Sequence, residues 1–151
     1  MIHPKISDEL SLALNQGLGI TSLTEIQELT LDNLTNNAFI TAQTGSGKTL
    51  AYLLPLLSKI NREDKKNIAL IITPTQELAL QIRDVITSIN EYLSLPYTVE
   101  ALIGGANINY QMERLKKKPH ILIGTPGRVI NLFDKKKING QTIDYLVFDE
   151  I

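Results

Sequence analysis

A chain of 151 residues is long enough for one ordinary globular domain and too short for two, and with 43% hydrophobic and 21% charged residues its composition excludes wholesale disorder. It has no cysteine, so disulfides and thiolate metal sites are excluded and a reducing, cytoplasmic location is the expectation. The net charge of −1 gives no global electrostatic case for nucleic acid, and no apolar run approaches the roughly 20 residues of a membrane span. Any nucleic-acid site must be local, and no membrane partner is expected.

In chain order, Ser7 can cap a helix whose face is Leu10, Ala13 and Leu14, ending near Gly17. Thr24 can cap a second, carrying Ile26, Leu29 and Leu34. Phe39-Ile40 reads as a first buried strand. Leu50, Leu53, Leu54, Leu57 and Ile60 then form one helix face, with Pro55 predicted to kink or break it. After a polar loop over 61–67 come a strand at Ala69 to Ile72 and a helix facing inward with Leu78, Ile82, Val85, Ile86 and Ile89. Val99 to Ile103 is a weaker strand candidate, and Ile108, Met112 and Leu115 sketch a third face of this kind. Ile121-Leu122-Ile123 and Leu146-Val147-Phe148 read as strands buried on both faces, separated by a polar loop over 134–141. Strands alternating with helices predict an α/β fold, a parallel sheet with flanking helices and right-handed crossovers.

Directly after the first strand comes Ala42-Gln43-Thr44-Gly45-Ser46-Gly47-Lys48-Thr49, and then a helix. Glycines let successive N–H groups of Thr44, Gly45, Ser46 and Gly47 point at phosphate oxygens, and the new helix offers its positive end. Lys48 would reach the β- and γ-phosphates of a nucleotide, and the Thr49 hydroxyl would hold Mg²⁺. The strict pattern asks for glycine at 42, where this chain has alanine. Near the far end, an apolar run passes into Asp149 and Glu150, at a strand terminus where open α/β sheets collect ligands. With a phosphate loop upstream, Asp149 is the expected second Mg²⁺ partner and Glu150 the candidate to orient and deprotonate an attacking water.

Together these motifs resemble the first RecA-like domain of a DEAD-box RNA helicase. Pro74-Thr75-Gln76-Glu77-Leu78-Ala79 resembles that family's Pro-Thr-Arg-Glu-Leu-Ala element, Gly104-Gly105 its double glycine, and Thr125-Pro126-Gly127-Arg128 its Thr-Pro-Gly-Arg element. Asp149-Glu150 begins the motif that names the family, and Gly19 to Gln27 is similar to the segment ending in its adenine-reading glutamine. The resemblance implies N-terminal helices with that glutamine segment over 1–35 and a partial RecA-like ATP-binding domain over 36–151. It further implies ATP and Mg²⁺ as cofactors, catalysis through Lys48, Asp149 and Glu150, and unwinding of RNA by ATP hydrolysis. Gln27 would read adenine, although Thr24-Glu25-Ile26-Gln27 also fits a capping box in which the glutamine only closes a helix. Thr75, Gly105, Thr125 and Arg128 would hold the backbone of one RNA strand with little sequence preference.

The departures are specific. Gln76 replaces an arginine, Leu23 and Glu25 replace two prolines, and Ile2 stands where phenylalanine usually stacks on adenine. Ile151 replaces the alanine of the name-giving motif. The family's Ser-Ala-Thr element and its second RecA-like domain are not among the 151 residues. In related folds the strand ending in Ser-Ala-Thr lies between the phosphate-loop strand and the Asp-Glu strand. A fragment lacking that strand is therefore expected, with a non-catalytic nucleotide-binding module as the alternative to a complete helicase. Lys116-Lys117-Lys118 and Lys135-Lys136-Lys137 lack interleaved aromatics and read as solvated surface, with nucleic-acid contact as the alternative. His3 and His120 have no metal-ligand spacing, and His120 reads as a strand-start residue.

Overall fold

The computed structural model describes residues 2–34, 38, 40 and 47–150. The chain divides into two compact units, Met1–Ile60 with Ser88–Ser94, and Asn61–Thr87 with Leu95–Ile151.

The first unit is helical among its described residues. Helix α1 (Asp8–Leu18) starts where the Ser7 hydroxyl accepts from the Leu10 N–H at 3.1 Å, and buries Leu10, Ala13 and Leu14 as expected. It stops at Gly19, whose left-handed backbone (φ 70°) suits glycine. The helix runs one residue past Gly17, near which its end was expected, and that glycine serves close packing instead: a Cβ there would sit 2.4 Å from the Ser88 carbonyl oxygen. Helix α2 (Glu25–Asn33) buries Gln27, Thr30 and Leu31, while Leu29, expected on the inner face, is exposed. Helix α3 (Lys48–Lys59) runs unbroken through Pro55. Proline supplies no N–H, so the carbonyl four residues earlier, that of Ala51, loses its helical donor. The buried Thr30 hydroxyl of α2 donates to that carbonyl instead. Phe39 of the expected first strand lies outside the described residues, and Ile40 is in no strand.

The second unit is built on a four-stranded parallel sheet of order β2-β3-β1-β4, with β1 at Ala69–Ile72, β2 at Val99–Leu102, β3 at Ile121–Gly124 and β4 at Tyr145–Phe148. The crossovers carry α4 (Gln76–Asn90), whose last three residues belong to the first unit, then α5 (Ile108–Leu115) and α6 (Pro126–Asp134). One face packs Leu70, Leu102 and Leu122 of the strands against Leu115 of α5 and Val129 and Leu132 of α6. That places α5 and α6 side by side on the same face. Helix α6 has no counterpart among the helices read from apolar periodicity. Strands β1 and β3 are buried as expected, whereas β4 is not: Leu146 and Phe148 are 54% and 51% exposed. Among the described residues β4 is an edge strand, and its side chains have sheet neighbours on one flank only.

His120 is indeed a strand-start residue. Its Nδ1 lies 3.1 Å from the Thr98 N–H nitrogen, and its Nε2 lies 2.6 Å from the Asp64 carbonyl oxygen. It ties two loops to the sheet and is buried by doing so. His3 is likewise structural, with Nε2 2.8 Å from the Asp32 carboxylate.

Candidate functional site

In the first unit the site residues gather at the start of α3. Gly47 caps the helix with a left-handed backbone (φ 84°), and a Cβ there would lie 2.4 Å from Nε2 of Gln27. The left-handed backbone selects glycine at this position, and the Gln27 amide packs into the space that the missing side chain leaves. Gln27 donates from Nε2 to the Gly47 carbonyl at 3.3 Å, and its Oε1 accepts from the Thr24 N–H at 3.0 Å. The capping box is thus present, closed by the Thr24 hydroxyl on the Gln27 N–H. An amide side chain has two donors and two acceptor sites, so among the described residues one of each is left over on a side chain that is 2% exposed. Lys48 and Thr49 are half-buried in the first turn of α3. Thr44, Gly45 and Ser46, the rest of the expected phosphate cradle, lie outside the described residues.

In the second unit the parallel sheet aligns the ends of all four strands. Thr73 to Thr75, Gly104-Gly105, Thr125 to Arg128, and Asp149-Glu150 all follow strand C-termini and share one edge. The Thr75 hydroxyl accepts from the Leu78 N–H at 3.2 Å and so caps α4. Thr125 occupies the same kind of position before α6 but makes no side-chain capping bond, and Pro126 follows at the first helical position. Arg128 binds the double-glycine turn, donating from Nη1 to the Ala106 carbonyl (3.2 Å) and from Nη2 to the Gly104 carbonyl (3.5 Å). The same Nη1 donates to Gln111 Oε1 at 2.9 Å. Gln111 is buried and its Nε2 donates to the Ile103 carbonyl at 2.9 Å. Sequence reasoning missed Gln111; its one signal is a polar side chain directly before Met112 on a helix that turns apolar residues inward. Gln76 lies over the turn, its Oε1 only 2.6 Å from where a Gly105 Cβ would stand.

Asp149 is buried, and its N–H donates to the Ile72 carbonyl at 2.9 Å, which extends the β1–β4 ladder by one bond. Glu150 turns the chain off the strand through a left-handed backbone (φ 57°), a conformation rare for a residue with a Cβ. Beside these two acids lies an apolar cavity of about 370 Å³, lined by Ile72, Pro74, Val129, Ile130 and Phe148 among others. Among the described residues no cluster of three or more His, Cys, Asp or Glu forms a self-contained metal site.

The family model of the DEAD/DEAH box helicases matches residues 24–151. The chain belongs to that family. It is 40% identical over 134 residues to the DEAD-box ATP-dependent RNA helicase CshC of Bacillus cereus, covering 87% of this chain and 34% of that protein. It is 37% identical over 148 residues to the ATP-dependent RNA helicase DbpA of Bacillus subtilis, covering 97% of this chain and 30% of the relative. Among solved structures it superposes on the yeast DEAD-box splicing factor Prp28 with a TM-score of 0.83 at 30% identity, over 97% of this chain and 37% of that one. The chain thus spans about a third of the length of these relatives. The expected RecA-like α/β fold of a DEAD-box helicase is what this parallel sheet and its flanking helices form.

Proposed function

We propose that these residues are the ATP-binding part of an ATP-dependent RNA helicase, in which ATP hydrolysis drives strand separation. The alignment of four strand ends on one sheet edge supports this most directly, because it brings Thr75, Gly105, Thr125, Arg128, Asp149 and Glu150 to a common rim. In this reading Thr44 to Gly47 cradle phosphates, Lys48 neutralises the β- and γ-phosphates, and Gln27 spends its remaining donor and acceptor on adenine. The Thr49 hydroxyl and the Asp149 carboxylate are the proposed Mg²⁺ ligands; both are hard oxygen donors of the kind that ion prefers. Held by these two oxygens, the ion would supply positive charge against the negative charge that develops on the phosphates. Glu150 orients and deprotonates the attacking water. Thr75, Gly105, Thr125 and Arg128 hold the sugar-phosphate backbone of one strand, which gives affinity without sequence reading.

The proposed partition is 1–35 for the helices with the glutamine segment and 36–151 for a partial RecA-like domain. The second RecA-like domain of the intact protein is the proposed partner that completes the ATP site. No described helix is long and apolar enough to cross a membrane, and a cytoplasmic location goes with this reading. The test compares binding of a fluorescent ATP analogue with Mg²⁺ to wild type and Lys48→Ala, followed by ATP turnover with and without RNA. The expected result is weakening by tenfold or more in Lys48→Ala and competition by ATP over GTP. Binding without turnover assigns the 151 residues as a nucleotide-binding piece alone. Equal binding by both proteins sinks the nucleotide reading.

A further inference from the structure

The lysine runs left aside by the site occupy the opposite edge of the sheet. In a parallel sheet every loop that enters a strand lies at its N-terminal edge, about 13 Å from the C-terminal edge for strands of four residues. Lys116-Lys117-Lys118 follows α5 and enters β3, Lys135-Lys136-Lys137 follows α6 on the way to β4, and Lys65-Lys66 enters β1. Structure joins these loops. Asn67 Nδ2 donates to the Pro119 carbonyl at 2.6 Å, and α5 and α6 share one apolar cluster, which sets their C-termini next to each other. Lys116 pairs with Glu113 at 2.9 Å, and the Glu113 carboxyl is held below its ordinary value first by Lys116 and also by the charge of Lys137. The acids at this edge are Glu63, Asp64, Glu113, Asp134 and Asp144. With Arg62 and Arg114, which neighbour Glu63 and Glu113, ten of the fifteen basic residues thus meet five of the sixteen acidic ones, and the rest of the chain is correspondingly acidic.

Two of these lysines are not what the backbone alone would select. Lys118 (φ 54°) and Lys136 (φ 58°) both hold left-handed conformations just past a helix end, where glycine is favoured. Helix α6 closes there with the Lys137 N–H donating to the Leu132 carbonyl at 2.9 Å. Local stability therefore gives no reason for lysine at either position, although a cation near a helix C-terminus is mildly favourable. All six lysines of the two runs are exposed.

We propose that this N-terminal edge is a second RNA-contact surface, which holds phosphodiester backbone outside the strand gripped at the C-terminal edge. The inference rests on the reading that the chain binds RNA. Lysine offers mobile point charges without the planar fork of arginine, and no aromatic is interleaved, so contact is to phosphate and independent of sequence. A short strand would occupy the C-terminal edge alone, whereas a long or partly duplex RNA would reach both.

The test measures binding of labelled RNA of about 8 and about 40 nucleotides across a salt series, for wild type, Lys118→Gly/Lys136→Gly, Lys117→Gln/Lys135→Gln and Arg128→Ala. Replacing lysine by glycine at left-handed positions relieves the backbone, so lost binding in the first variant cannot be blamed on unfolding. The expected result is a loss of roughly threefold to tenfold per lysine for the long RNA near 0.1 M salt, with the salt slope reduced by about 0.7 per lysine, and no change for the short one. If Arg128→Ala weakens binding and both lysine variants bind like wild type, the second surface is overturned and the RNA reading stands. If wild type binds neither RNA at low salt, both fall. If the lysine variants lose binding only to vesicles of phosphatidylcholine and phosphatidylserine, the surface belongs to lipid and the proposal is overturned.

Discussion

Arg128 and Gln111 hold each other across two helices: the guanidinium donates to the amide oxygen at 2.9 Å while the amide nitrogen donates to the Ile103 carbonyl. The pair joins the start of α6 to the turn that carries Gly104 and Gly105. Gln111→Leu leaves the Ile103 carbonyl without its side-chain donor and Arg128 without its side-chain acceptor. The expected cost is about 1–3 kcal/mol in urea unfolding. RNA affinity should fall as well, and Arg128→Ala added to Gln111→Leu should lower it little further, because the two act as one unit. A Gln111→Leu protein with wild-type RNA affinity would show that the amide does not position the arginine.

Thr30 and Pro55 form a second such unit without touching through side-chain chemistry alone. The hydroxyl supplies the donor that proline withholds from the Ala51 carbonyl. Thr30→Val should cost about 1–3 kcal/mol. Pro55→Ala returns a helical N–H to the same carbonyl, so the double variant should recover much of the loss. Additive effects in a double-mutant cycle would contradict the shared acceptor.

Glycines near the site separate by what surrounds them. A Cβ on Gly124 would meet the Leu102 carbonyl oxygen at 2.5 Å and Val129 Cγ2 at 2.7 Å, whereas one on Gly127 would meet nothing within 4 Å. Gly124→Ala should destabilise by about 1–3 kcal/mol, measured by thermal or urea unfolding. Gly127→Ala sits in the first turn of α6 and should stabilise by up to about 1 kcal/mol. If RNA backbone approaches that turn, the same substitution weakens RNA binding. A more stable protein that binds RNA less well is the diagnostic outcome.

Glu100 gives a pH signature. Burial raises its pKa above 4.5, and the attraction of Arg114, 3.5 Å away, and of Arg83 opposes this without cancelling it. The folded protein holds this proton more tightly than the unfolded chain does. Its stabilising contribution is complete below the unfolded pKa and is lost as pH rises through the folded one. Glu100→Gln should therefore be more stable than wild type at pH 7, with the difference vanishing towards about pH 4. A constant difference across that range would refute the assignment.

Much of the helical framework was legible because its signals are local. Ser7 and Thr24 cap α1 and α2 through hydroxyls that need only the next turn, and the apolar faces of α3, α4 and α5 show in their spacing. Helix α6 was not, because Pro126 and Gly127 open it and both are turn residues by composition. The exposure of Leu146 and Phe148 was hidden for another reason: an apolar run does not say whether its strand lies inside a sheet or at its edge. At the candidate site, Lys48 stood out by its place in a glycine-rich loop and Thr75, Thr125 and Arg128 only through the resemblance, whereas the Gln111 brace depends on contacts 8 and 17 residues away. No local pattern encodes those.

Helix α2 has nine residues, too few to persist alone in water. Gln27 and Thr30 fasten it to the Gly47 and Ala51 carbonyls, which stand one turn apart on α3. Two fasteners at that spacing prevent both sliding and independent rotation, so the helices open and close as one cooperative segment. Amide protons of α2 should then exchange at the pace of α3. Whatever steadies the first turn of α3 should slow exchange in α2 as well, so that occupancy at one helix is recorded in the opening rate of the other.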